Sequence, residues 1–227
     1  MIRALRRLLW RTALIAAAAA LLAVCVFAVF DPPVTRTMAE ERRRLGQIEH
    51  AWVPLEEVAP VMRRSVVAAE DANFCLHWGF DLAAIRAAID AGATRGASTI
   101  TQQTVKNVYL WQGRSWTRKA LEALLTPLVE LIWSKRRILE VYLNVAEFGE
   151  GVFGVRAAAM KYFGVAAADL TPRQAALLAA VLPAPRSRSP VAPDAATRRR
   201  AAAIMDGAET IRRDGRSACF EDDTGKS

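Results

Sequence analysis

Two acids stand where proton chemistry is plausible. Glu70-Asp71 closes the apolar stretch Val61 to Ala69, and Phe74, His77, Trp78, Gly79 and Phe80 crowd in directly after it. A carboxyl held against apolar surface loses solvation of its charged form, which moves its pKa toward the range where it exchanges protons near neutral pH. The plainer reading is a helix-end acid paired with Arg63 or Arg64. These residues alone do not decide between the two.

A second group is suited to an anion. Gly96-Ala97-Ser98-Thr99-Ile100-Thr101-Gln102-Gln103 joins a glycine turn to a hydroxyl- and amide-rich helix start, with Lys106 one turn on and Arg114 beyond it. Backbone N–H groups at a helix start, with a lysine and an arginine, can neutralise a pyrophosphate without a P-loop. An ordinary serine N-cap explains the same segment taken alone. Further on, Arg118 and Glu122 share a helical face, an arrangement worth only ~0.3–0.5 kcal/mol as a surface pair. Lys135-Arg136-Arg137 and Glu140 read equally well as a solvated face, and Asn144, Glu147, Gly149, Gly151 and Gly154 mark the turn that follows.

Cys25, Cys75 and Cys219 share no metal-ligand spacing, and the only histidines are His50 and His77, so a structural zinc site is not expected. Cys25 falls in an apolar run, which leaves Cys75 and Cys219 as the one pair able to bridge in an oxidising compartment. The polar surroundings of Cys219 argue against that bridge.

The elements that must position these residues begin with that run. Thr12 to Phe30 carries no charge over 19 residues, close to the ~20 that a helix needs to cross a ~30 Å hydrocarbon core. A cleaved signal peptide is the rival reading, but Val and Phe stand where a cleavage site needs small residues. Arg3, Arg6, Arg7 and Arg11 precede the run with no acid beside them, which places the N-terminus in the cytoplasm and the remainder outside. Those four account for half of the net +8. The remaining charge makes a moderately basic exported domain, suited to anionic lipid or pyrophosphate rather than to nucleic acid.

Asp31-Pro32-Pro33 ends the span, and residues 31–51 read as a charged juxtamembrane linker in which Arg36 to Glu49 suits either an extended connection or a juxtamembrane helix. Beyond it the apolar periodicity is helical: Val58, Val61 and Met62, then Leu82, Ile85 and Ile89, with no convincing strand alternation. Ser115 to Val145 predicts two successive or kinked helices, interrupted at Pro127 and restarted near Ser134. Thr171-Pro172-Arg173-Gln174 is a capping box with proline at the first helical position. Asp194 caps a last helix with Ile204, Ala208 and Ile211 inward, and residues 212–227 read as a disordered tail. One mostly α domain over residues 52–211 is expected, behind a cytoplasmic 1–11 and a span at 12–30.

Taken together, the sequence resembles the peptidoglycan glycosyltransferases, glycosyltransferase family 51, the glycosyl-transfer module of penicillin-binding proteins and their stand-alone relatives. Glu70-Asp71-Ala-Asn-Phe74-Cys-Leu-His77-Trp-Gly79 is similar to the first family motif, and Gly96 to Gln103 to the second. Arg118-Lys119-Ala-Leu-Glu122 resembles the third, and Lys135 to Asn144 the fourth; the likeness spans about Val58 to Met205. The resemblance implies a lysozyme-like fold of two helical lobes, the smaller touching the membrane.

It also implies a monofunctional enzyme of the bacterial inner membrane, with no transpeptidase domain, that polymerises lipid II with inversion and releases undecaprenyl pyrophosphate. Glu70 and Glu122 would be the catalytic acids, Glu70 as general base and Glu122 holding a metal or orienting cations. Asp71, Ser98, Gln103, Lys106, Arg114 and Lys119 would bind substrate. No dedicated metal cage is visible, although a divalent cation such as Mg or Mn could share the pyrophosphate charge. Lipid II, the growing glycan strand, inner-membrane lipid and division or cell-wall synthesis proteins are the expected partners. A lysozyme-like hydrolase or lytic transglycosylase and an inert anchor for division proteins are the competing readings.

Overall fold

A computed structural model describes residues 2–92, 98–113 and 115–221. The mostly helical expectation holds, with 67% of the described residues in helix. The first helix, α1 (Ile2–Val29), includes Leu5–Val29, 25 residues whose most apolar 18-residue window has mean hydropathy 2.6, long and apolar enough to cross a membrane. Its C-terminal end is docked on the domain. Trp133 Nε1 donates to the Val24 carbonyl at 2.8 Å, and Arg137 donates to the carbonyls of Phe27 at 3.1 Å and Phe30 at 2.8 Å. The last carbonyls of a helix lack intrahelical donors and carry partial negative charge, so a guanidinium suits them.

Of the two readings of the charged stretch after the span, the helix is the one found, and it is packed into the domain. Thr35 caps α2 (Arg36–Leu45) by accepting from the Met38 N–H, and α2 buries Thr37, Met38 and Glu41. Arg44 and Arg186 close on the Glu41 carboxylate at 2.6 and 2.8 Å. The domain therefore begins near Thr35 rather than Trp52. Its charges mask one buried face, which composition alone cannot show.

Next come α3 (Pro60–Glu70), α4 (Leu82–Asp90), α5 (Ile100–Tyr109), α6 (Trp116–Ile132) and α7 (Lys135–Val145). They are followed by α8 (Val155–Phe163), α9 (Pro172–Val181) and α10 (Ala195–Arg213). α3, α9 and α10 pack on one another, and α5 packs against both α6 and α7. α6 runs through Pro127 and ends at Ile132, and Ser134 caps α7 where a restart was predicted. The capping box of Thr171 and Gln174 opens α9 as expected, and Ile204, Ala208 and Ile211 are the buried stripe of α10.

Three short strands were not foreseen: β1 (Glu49–His50), β2 (Glu147–Gly149) and β3 (Val152–Phe153), in the order β1-β3-β2. β1 pairs parallel with β3, which pairs antiparallel with β2. Strands of two or three residues are too short for alternation to register.

The tail is the other correction. Phe220 is buried against Phe74 with ring centroids 6.3 Å apart, and Cys219 is bonded to Cys75. Residues 214–221 thus belong to the folded domain. In contrast, α4 buries nothing: Leu82 and Ile89, predicted as an apolar face, are 63% and 67% exposed, as are the neighbouring Leu76 and Trp78 at 68% and 60%.

Candidate active site

Glu70 is the last residue of α3, which begins at Pro60 in the first helical position and buries Met62, Val66 and Val67. That packing fixes where its C-terminus points. The Glu70 side chain is 12% exposed and takes two donors: Gln103 Nε2 at 3.0 Å on one oxygen and Arg200 Nη2 at 3.2 Å on the other. Burial pushes the carboxyl above the ordinary glutamate range, while Gln103, Arg200 and nearby Lys106 hold it partly down. Arg63 and Arg64 do not pair with it; Arg63 holds the carbonyls of Val58 and Glu56, and Arg64 holds Glu221. The Tyr142 hydroxyl donates to Gln103 Oε1 at 3.3 Å, which turns the amide nitrogen toward Glu70.

The start of α5 explains why Gln103 reaches Glu70. Thr99, not Ser98, is the N-cap, in a capping box with Gln102. Asp71 reinforces it: Oδ2 accepts the Ile100 N–H at 3.0 Å, and Oδ1 lies 2.7 Å from His77 Nε2. Asp71 was expected to bind substrate. Each of its oxygens has a partner inside the protein, through which it ties α3 to α5, and Asp71 also lines a cavity beside Glu70. Gly79 completes the junction. Its φ is +82°, a Cβ there would lie 2.5 Å from Thr126 Cγ2 of α6, and its carbonyl accepts from Thr99 Oγ1 at 2.7 Å.

Glu122 is 3% exposed, so its pair with Arg118 is no solvated surface contact. Arg118 Nη1 reaches Oε2 at 2.6 Å, Lys119 pairs with Oε1, and Lys119 also donates to Ser98 Oγ at 3.3 Å. Lys106 belongs to the same group. Burial pushes its ammonium below the ordinary lysine range; Glu122 and Glu70 pull it back up, and Arg118 and Lys119 press it down. Among the described residues three cations thus share the Glu122 corner. Arg114 and Gly96 lie outside the described residues.

Among the cavities that meet these groups, two adjoin the Glu70–Gln103 pair. One of about 400 Å³ is lined by Glu70, Asp71, Asn73, Asp81, Ser98 and Thr99. Another of about 240 Å³ is lined by Gln103, Lys106, Asn107, Gln112, Tyr142 and Glu147. Glu70 lines the first and its partner Gln103 the second, so the pair stands between them. A carboxylate in that place can take a proton from one bound group while cations steady charge on another.

Among the described residues, the acids nearest the site already have partners within the protein, and one group of them lies close enough to share a metal ion. Glu122 has both oxygens on cations. Asp71, His77 and Asp81 approach one another closely, but Asp71 caps α5 and Asp81 caps α4 and accepts from Asn73. Asn144, in the fourth motif, is a buried cross-brace to the Val53 backbone rather than a site residue. Sequence reasoning missed Arg200 and Tyr142. Arg200 stands next to the buried stripe of α10 at Ala201 and Ile204, the one hint that it faces inward.

Fold and site together define a helical domain with a buried carboxylate beside a cation cluster, behind a helix able to span a membrane. The chain belongs to the transglycosylase family, whose model matches residues 36–209. It is 60% identical over 218 residues to the biosynthetic peptidoglycan transglycosylase of Jannaschia sp. (strain CCS1), covering 96% of this chain and 91% of that protein. It is 48% identical to the protein of that name from Rhodospirillum centenum (strain ATCC 51521 / SW), covering 95% and 97% of the two chains. The Caulobacter vibrioides (strain ATCC 19089 / CIP 103742 / CB 15) protein of that name is 43% identical, with 96% of each covered.

Proposed function

We propose that this peptidoglycan glycosyltransferase polymerises lipid II on the outer face of the inner membrane, with Glu70 as general base. Glycan polymerisation in cell-wall synthesis is the activity of the chain. The observation that carries the assignment of the base is the Glu70 carboxyl: buried, pushed up in pKa, aimed by Gln103 and Arg200, and set between two cavities. In this reading Glu70 takes the proton of the acceptor sugar's 4-hydroxyl as that oxygen attacks the donor's anomeric carbon. The C–O bond to the pyrophosphate breaks in the same displacement, which inverts the centre. Negative charge then grows on the departing pyrophosphate, where Lys106 and Lys119 would stabilise it, and Arg114 is proposed for the same group. Glu122 holds Arg118 and Lys119 in place, and Ser98 and Gln103 offer hydrogen bonds to substrate.

Export is supported by the four N-terminal arginines and by the Cys75–Cys219 bridge, since disulfides persist in oxidising compartments. The apolar residues exposed around α4 suit contact with the bilayer that holds both lipid-linked substrates. The deciding experiment incubates the purified full-length protein with lipid II in detergent. Glycan strands and released undecaprenyl pyrophosphate are expected; cleavage of finished glycan with lipid II left intact would instead establish a hydrolase. Protease added outside the inner membrane should digest the domain after Asp31, and a processed, soluble form would overturn the anchor.

A further inference from the structure

The segment Asp214–Glu221, beyond the residues matched by the family model, meets the loop that follows Glu70 at several points. Cys219 is bonded to Cys75 across 144 residues of sequence. The Phe220 ring packs on Phe74, and its backbone carbonyl accepts from Arg136 at 3.4 Å. Glu221 takes two bonds from Arg64 of α3 at 2.8 and 3.0 Å, and Arg216 Nη1 donates to the Ala72 carbonyl at 3.0 Å. Phe74 and Phe220 are both fully buried or nearly so.

The loop held in this way does a specific task. Ala72 and Phe74 flank the turn that closes from the Asp71 carbonyl to the Phe74 N–H at 2.9 Å, and Asp71 caps α5 through Ile100. His77, two residues past Cys75, completes the Asp71 contact. α5 in turn carries Gln103 to Glu70. A contact at Ala72, Phe74 or Cys75 is thus passed through Asp71 to the hydrogen bond on the base.

We propose that Asp214–Glu221 is a covalent strap that positions the Glu70 loop, so that turnover depends on the Cys75–Cys219 bond being closed. The strap makes no contact with substrate. It narrows the set of loop conformations in which Asp71 caps α5 and Gln103 meets Glu70. A dithiol opens it by taking one sulfur and then the other: the S–S bond breaks, the two cysteines gain two electrons and two protons, and the reductant leaves as its cyclic disulfide.

The test uses the full-length protein in detergent with lipid II, before and after dithiothreitol. Turnover by the oxidised protein tests the polymerase reading; the ratio of reduced to oxidised rates tests the strap. Thiol labelling monitors the bridge, because the oxidised chain offers Cys25 alone and the reduced chain all three cysteines. Well below the melting midpoint of the reduced form, kcat should fall roughly tenfold, as expected when a catalytic group is displaced by a fraction of an ångström. KM should hold within about twofold, and reoxidation should restore kcat. The Cys75→Ser/Cys219→Ser variant should match the reduced protein and ignore dithiothreitol. If that variant fails to fold, the titration of folded wild type decides. Unchanged kcat with the bridge shown open, or a loss that follows only the unfolded fraction, would overturn the proposal.

Discussion

Glu70 and Glu122 are both buried glutamates near one cluster of cations, yet the protein surrounds them differently. Glu122 has an arginine on one oxygen and a lysine on the other. Glu70 has one amide and one arginine, the latter at 3.2 Å, and its pKa is pushed up by burial more than its partners restore. A carboxylate saturated by cations is a scaffold that holds them. One given a single cation in a desolvated place keeps the capacity to take a proton. The difference lies in the neighbours, since the residue type is the same.

The largest expected effect breaks that comparison at the base. Glu70→Gln keeps the shape and the Gln103 contact but cannot accept the proton, so turnover should fall ~10²–10⁴-fold with the melting curve and lipid II binding retained. Near-normal turnover would remove Glu70 from the role. Next come the cations. Lys106→Ala and Lys119→Ala should each cost ~2–4 kcal/mol of transition-state stabilisation, comparable with losing an oxyanion donor. Alanine at Arg42 or Arg43, exposed on α2, should change turnover little. If plain attraction to an anionic membrane explained the basic residues, all four variants would lose alike and salt would shrink the losses together.

Glu122→Gln should be milder in turnover, roughly tenfold, and visible in stability, because Arg118 and Lys119 lose the charge that holds them. Its rate profile should keep the wild-type acid limb; a displaced limb would mean that Glu122, too, exchanges protons in the reaction. The smallest effect is the sharpest for Glu70. The base must be deprotonated, so the rate falls as pH drops through its pKa, at a pH above the ordinary glutamate range. Arg200 lowers that pKa, so Arg200→Ala should move the acid limb to still higher pH. Movement to lower pH, measured as kcat against pH, would contradict the pairing. On the alkaline side the limb should lie below the usual lysine range if Lys106 must be charged, and Lys106→Arg should push it upward.

What could be read from the chain alone was local. The span follows from an uncharged run of sufficient length, the start of α9 from Thr171 and Gln174, the inner face of α10 from Ile204, Ala208 and Ile211, and the motifs from residues close in sequence. Caps, periodicity and hydropathy act within a few residues, so they survive in a linear reading. Contacts between distant segments do not. The capping box of Thr99 and Gln102 is local and legible, but the engagement of Asp71 by the start of α5 depends on α3 meeting α5. The Arg118–Glu122 pair reads as surface until the packing around α6 buries Glu122. Arg200 reaches Glu70 across 130 residues and Cys219 reaches Cys75 across 144, separations at which composition and spacing carry no orientation. The sequence by itself determined which helices form and which motif they carry. Only the tertiary structure decided which of two similar glutamates is held by two cations and which by one amide and one arginine, because a group's partners and its desolvation are properties of everything packed around it.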